Sequence, residues 1–111
     1  MDLSSPAVVE EYVNAYFADI PVMKDVAWCE SRYRHLDKKG EVLRGEINRG
    51  DVGVMQINEY YHGKTAKEFG LDLHDLGDNM AYARYLFENE GTTPWLSSVK
   101  CWGKGNHIAK K

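Results

Sequence analysis

A glutamate in an otherwise apolar helical stretch is the first candidate for chemistry. Glu30 follows Trp28 and Cys29, and further apolar residues lead into them at helical spacing. A carboxyl group beside large apolar side chains loses hydration, which penalises its charged form and raises its pKa. Such a group stays protonated near neutral pH and can give its proton to a leaving group. Taken alone, however, the stretch favours a different interpretation, a solvated glutamate on the surface of a helix.

A second stretch, residues 53–58, carries a polar side chain that suits the same chemistry. It reads Gly53-Val54-Met55-Gln56-Ile57-Asn58, and Gln56 lies 26 positions after Glu30. A glutamine amide can donate and accept hydrogen bonds at once, which suits the hydroxyl and acetamido groups of a sugar. The alternative is that the Gln56 amide makes a structural hydrogen bond to a neighbouring hairpin.

The two stretches together resemble a known family. Glu30-Ser31, followed by Gly53-Val54-Met55-Gln56-Ile57, is similar to the motifs of the lytic transglycosylases and goose-type lysozymes in the lysozyme-like superfamily. Members carry Glu-Ser at the end of a buried helix and Gly-(Leu/Val)-Met-Gln-(Ile/Val) facing it across a sugar-binding cleft. The likeness runs from about Pro21 to about Trp102.

This resemblance implies both a fold and a reaction. The expected fold is α+β and mainly α, one lysozyme-like domain over residues 1–111 with about five helices and a small β-hairpin lobe flanking a cleft. The implied reaction cuts the MurNAc-GlcNAc β-1,4 bond of peptidoglycan. Glu30 would act first as acid and then as base, leaving 1,6-anhydromuramic ends. Neither a metal nor a cofactor is implied, and we expect a monomer whose partner is the glycan strand.

The resemblance also assigns roles around Glu30. Ser31 would orient Glu30 or touch the sugar, although it can equally be a polar helix end. Met55 would shape the cleft floor, and Gln56 and Asn58 would contact substrate.

A third family motif near the last helix, Ala-x-Tyr-Asn-x-Gly, is altered here. The best match is Lys100-Cys101-Trp102-Gly103-Lys104-Gly105, with Trp102 in place of the tyrosine that approaches the catalytic glutamate. Trp102 can stack on sugar but has no phenol hydroxyl. Tyr82, from another helix, is the candidate to fill that space.

Two other functions stay open. A hydrolytic goose-type lysozyme would use a second carboxylate, for which Asp51 is the candidate. The alternative for Asp51 is that it braces the turn 48–51. A non-catalytic peptidoglycan-binding module would instead retain Glu30 as a structural residue.

The remaining chain supplies the elements that must position these residues. Between Arg34 and Asp51 the helical periodicity fails, and Gly40 and Gly45 predict turns between two or three short strands. The tail after Gly103 is predicted to be irregular. Five helices are predicted. The first begins at Pro6 and the last at Thr93-Pro94. The three between them run from Pro21 to about Tyr33, from about Lys64 to Phe69, and from Asp78 to Glu90.

Composition limits the partners and the compartment. The net charge of −3 over 111 residues argues against nucleic acid, and no stretch approaches the roughly 20 apolar residues of a membrane span. The start lacks the regions of a secretory signal. Cys29 and Cys101 permit one bridge, or two thiols in a reducing compartment. We predict the bridge, and with it an extracytoplasmic location in the cell envelope or outside the cell.

Overall fold

The computed structural model describes residues 2–103, and helices make up most of this part of the chain. The predicted α+β, mainly α fold with five helices and a small antiparallel β unit is confirmed. The helices are α1 (Pro6–Tyr16), α2 (Pro21–Ser31), α3 (Glu59–Glu68), α4 (Leu76–Glu90) and α5 (Val99–Trp102), with a 3₁₀ helix over Thr93–Ser98 before α5.

Local signals explain where the first helices begin and end. The Ser5 side chain accepts a hydrogen bond from the Val8 backbone N–H, and Pro6 occupies the first turn of α1. Helix α2 ends at Ser31, two residues earlier than the predicted end near Tyr33. The reason is that Arg32 and Tyr33 both adopt the left-handed conformation, with φ of 57° and 61°.

Side-chain caps move the starts of two later helices. Asn58 accepts from the Tyr61 N–H, so α3 begins at Glu59 rather than near Lys64. Asp75 accepts from the Asp78 N–H, so α4 begins at Leu76 rather than at Asp78. The last predicted helix, from Thr93-Pro94 onward, divides into the 3₁₀ helix and α5.

The β unit lies later in the chain than predicted. Strands β1 (Asp51–Val52) and β2 (Ile57–Asn58) pair antiparallel, with Asp51 opposite Asn58. The segment 34–51 contributes only single bridges, Leu36 with Val42 and Arg44 with Val52. Gly40 makes the predicted turn with φ of 83°. Residues 53–56 are therefore the loop that joins β1 to β2.

One core runs from the helices into this hairpin. Buried residues come from α1, α2, α4, the hairpin and the 3₁₀ segment, among them Val13, Val26, Val54, Ala83 and Trp95. A disulfide joins Cys29 of α2 to Cys101 of α5, so the predicted bridge is present. Within residues 2–103, no helix is long and apolar enough to cross a membrane. The tail from residue 104, predicted to be irregular, lies outside the described residues.

Candidate functional site

Glu30 is the penultimate residue of α2 and is half-buried at the end of that helix. Burial raises the pKa of its carboxyl group, the Ser98 hydroxyl lowers it through a hydrogen bond, and the charge of Asp51 raises it again. The net effect is a pKa raised from the ordinary value of a glutamate side chain. The raised pKa favours the protonated form of the carboxyl group, which is the form that a general acid needs.

The Ser98 hydroxyl is the direct partner of Glu30. Ser98 Oγ lies 2.6 Å from Glu30 Oε2 and 3.1 Å from the Trp95 carbonyl oxygen, and it accepts a hydrogen bond from Trp102 Nε1 at 3.0 Å. A serine hydroxyl has one proton to donate and two lone pairs. When Glu30 is ionised, that proton can point to the carboxylate. When Glu30 is protonated, the Ser98 proton can turn to the Trp95 carbonyl, and Ser98 Oγ then accepts a hydrogen bond from the Glu30 carboxyl group. The arrangement therefore satisfies Glu30 in both protonation states.

Glu30 stands where two arms of one cleft meet. The smaller arm has a volume of about 250 Å³ and the larger about 560 Å³. Four residues line both arms: Glu30, Asp51, Gln56 and Ser97. A chain-like ligand lying along the cleft would thus pass Glu30 at its middle.

The smaller arm carries an exposed aromatic ring. Tyr61 is 81% exposed and packs edge-on against His62, with ring centroids 4.9 Å apart. Glu90, Pro94 and Trp95 line the same arm. Burial lowers the pKa of His62, so its imidazole is neutral near pH 7. An exposed tyrosine face beside polar groups is a surface on which a sugar ring can stack.

Asp51 and Asn58 of the hairpin line the smaller arm together with Glu30. They are directly opposite each other in the β pair, and Asn58 Nδ2 donates to Asp51 Oδ1 at 3.1 Å. Asn58 also caps α3 through its Oδ1. Asp51 thus lines the cleft with Glu30, as a second carboxylate would. Its side-chain bond runs to Asn58 of the opposite strand, and in the turn 48–51 it is the Asn48 side chain that accepts from the Gly50 N–H.

Gln56 reaches both arms from a constrained backbone. Its φ is 53°, and its Nε2 donates to the Gly53 carbonyl oxygen at 3.0 Å. The amide nitrogen of Gln56 therefore makes the structural hydrogen bond to the hairpin that was the alternative to substrate contact. The amide oxygen lies close to Gly45, where an added Cβ would come within 2.9 Å of it. Gly45 thereby leaves room for the Gln56 side chain.

Three buried side chains hold the hairpin loop in place. Asn79 accepts from the Met55 N–H at 2.9 Å, His35 Nδ1 accepts from the Val54 N–H at 3.0 Å, and Trp95 Nε1 donates to the Met55 carbonyl at 2.9 Å. A Cβ at Gly53, where φ is 79°, would come within 2.8 Å of His35 Cε1. The loop therefore packs tightly enough that this position requires glycine.

Other predicted site residues lie away from the cleft surface. Met55 is fully buried beneath the loop. Ser31 is buried, donates to the Ala27 carbonyl at 3.0 Å and accepts from the Arg34 N–H, so its hydroxyl serves the helix end. Tyr82 is buried, and its hydroxyl bonds His62 Nδ1 at 3.0 Å rather than Glu30. Trp102 is only 6% exposed, so it reaches Glu30 through Ser98 instead of presenting its ring to a ligand.

Backbone strain concentrates around Glu30. Within residues 2–103, the non-glycine residues with positive φ are Arg32, Tyr33 and Gln56. The first two directly follow α2, and the third lines the cleft. Such conformations persist where surrounding contacts enforce them, and they cluster at functional sites.

Comparison with known proteins finds no matching family model, no matching curated protein and no matching solved structure. Across residues 2–103, His, Cys, Asp and Glu side chains form no group of three suited to a metal ion.

Proposed function

We propose that the chain is a peptidoglycan lytic transglycosylase that cuts the MurNAc-GlcNAc β-1,4 bond. The observation that carries the proposal is the half-buried Glu30, whose pKa is raised, at the junction of two cleft arms. The resemblance of Glu30-Ser31 and residues 53–57 to the transglycosylase motifs supports the choice of substrate. Tyr61 offers a stacking surface in the smaller arm.

The proposed reaction uses one carboxyl group twice. Protonated Glu30 donates its proton to the glycosidic oxygen, and the bond from that oxygen to the anomeric carbon of muramic acid breaks. The 6-hydroxyl of the same muramic acid then attacks the anomeric carbon and gives its proton to the Glu30 carboxylate. The products are a free 4-hydroxyl on one fragment and a 1,6-anhydro ring on the other, and Glu30 is again protonated.

Ser98 matches this two-step use of Glu30. In the first step a carboxylate forms, and the Ser98 proton can turn from the Trp95 carbonyl to stabilise it. In the second step the hydroxyl turns back. The Trp102 indole N–H holds Ser98 Oγ in place throughout. Ser98 is therefore a positioning residue for the acid.

Hydrolysis is the second candidate, because Asp51 lines both arms with Glu30. A carboxylate there can activate a water molecule, and the product would then be a reducing-end muramic acid. The disulfide supports an oxidising, extracytoplasmic location for either enzyme.

Mass spectrometry of digested peptidoglycan tests the proposal. Wild type is expected to release fragments ending in 1,6-anhydromuramic acid. Glu30→Gln keeps the shape of the side chain but cannot donate the acidic proton, so activity is expected to fall by roughly 10²- to 10⁴-fold. Wild-type-like turnover by Glu30→Gln would refute the assignment. Co-sedimentation of wild type with cell walls, without clearing of turbidity, would instead identify a binding module.

A further inference from the structure

The larger arm of the cleft concentrates arginine in an acidic protein. The chain has a net charge of −3 and five arginines. Four of the five line this one arm: Arg32, Arg34, Arg44 and Arg49. The smaller arm has neither Lys nor Arg among its lining residues, and Glu90 adds a carboxylate there. The larger arm thus carries four guanidinium groups beside four carboxylates, whereas the smaller arm has carboxylates without any guanidinium group.

Two of these arginines are fixed beside Glu30 by the end of α2. Arg32 Nη1 donates to the Trp28 and Cys29 carbonyls at 2.9 and 3.1 Å, and its guanidinium lies 4.0 Å from the centre of the Trp28 ring. Arg34 Nε donates to the Ser31 carbonyl at 2.9 Å. These bonds use only part of each guanidinium's donor set, so other N–H groups stay available.

Arg32 and Arg34 take part in none of the ion pairs described within residues 2–103, although Glu46 and Asp37 line the same arm. Two other arginines do form ion pairs: Arg44 pairs with Glu59, which also pairs with His74, and Arg84 pairs with Asp19. Asp37, which lines the same arm, instead accepts from the backbone N–H groups of its own turn. Arg32 and Arg34 thus keep positive charge and free donors in the cleft.

We propose that Arg32 and Arg34 bind a carboxylate carried by a substituent of the glycan. A guanidinium has the planar donor geometry that a carboxylate matches. Muramic acid offers this chemistry from two sources, the free lactyl group of a peptide-free strand and the peptide stem of a substituted one. The inference names the substrate group recognised by the proposed glycan-cleaving site, and so it rests on that function.

Binding to three fragments tests the inference. Calorimetry in the Glu30→Gln background would compare peptide-bearing glycan, peptide-free glycan with free lactyl carboxylates, and chitooligosaccharide, which has no carboxylate. The double variant Arg32→Gln, Arg34→Gln is expected to bind a carboxylate-bearing fragment at least tenfold more weakly. Its affinity for chitooligosaccharide is expected to stay unchanged. Lys38→Gln with Lys39→Gln removes the same charge from exposed residues outside the cleft and is the matched control.

The outcomes separate the inference from the proposed function. Weakening confined to peptide-bearing glycan assigns the stem carboxylates, and weakening confined to peptide-free glycan assigns the lactyl group. Unchanged binding of both, or equal weakening of all three fragments, would overturn the inference, because the arginines would then only cap α2. If wild type cleaves peptidoglycan, such a result leaves the proposed function intact. If wild type does not cleave peptidoglycan and the Glu30→Gln variant binds none of the three fragments, the proposed function itself is refuted.

Discussion

Replacing Ser98 by alanine should disturb the acid without removing it. The substitution deletes the hydroxyl that lies 2.6 Å from Glu30 Oε2 and lowers the pKa of that carboxyl group. The pKa of Glu30 should therefore rise further. A general acid loses activity as the pH rises through its pKa, so the basic limb of the kcat/KM profile should move to higher pH.

The size of the rate effect follows from the strength of the lost bond. A hydrogen bond to a charged group contributes about 1.5–3 kcal/mol. Ser98 stabilises the carboxylate that forms as Glu30 gives up its proton, so most of that free energy is lost from the transition state. At about 1.4 kcal/mol per tenfold, kcat/KM at neutral pH should fall roughly 10- to 100-fold.

The assay is a pH profile of glycan release by Ser98→Ala, with the melting temperature measured in parallel. The second measurement is needed because alanine leaves the Trp102 indole N–H without its acceptor, which costs about 1–3 kcal/mol of stability. Ser98→Thr keeps a hydroxyl and should retain the basic limb of wild type. If Ser98→Ala folds but the basic limb of its profile stays in place, Ser98 does not tune the pKa of Glu30.

Two further predictions concern Asp51 and the disulfide. Asp51→Asn should fold and retain most of its activity, because the 6-hydroxyl of the substrate takes the place of an activated water molecule. Loss of activity in this variant, together with reducing-end muramic acid among the wild-type products, would favour the hydrolase. Exchange of Cys29 and Cys101 for serine should lower the free energy of unfolding by up to about 4 kcal/mol, since the bridge closes a 72-residue separation, and urea unfolding would measure it. Two titratable thiols in oxidised, denatured wild type would contradict the bridge.

Local patterns in the sequence were sufficient for the helices to within a few residues, but not for the strands, which pair later in the chain than predicted. Apolar spacing placed Glu30 near the end of a helix, and Pro6 and Pro21 marked helix starts that the structure has. These features depend on residues within a few positions of one another. The starts of α3 and α4 were predicted a few residues too late, because the hydrogen bonds of the caps Asn58 and Asp75 begin these helices before their apolar pattern does.

The partners of the acid were decided by tertiary structure alone. Ser98 lies 68 positions after Glu30, and nothing near Ser98 in the chain marks it as different from Ser97. Trp102 was expected to stack on sugar, yet the packing of α5 turns its indole toward Ser98. A sequence pattern reports which face of a helix is apolar, whereas the direction of a single hydroxyl or indole depends on how distant elements pack together.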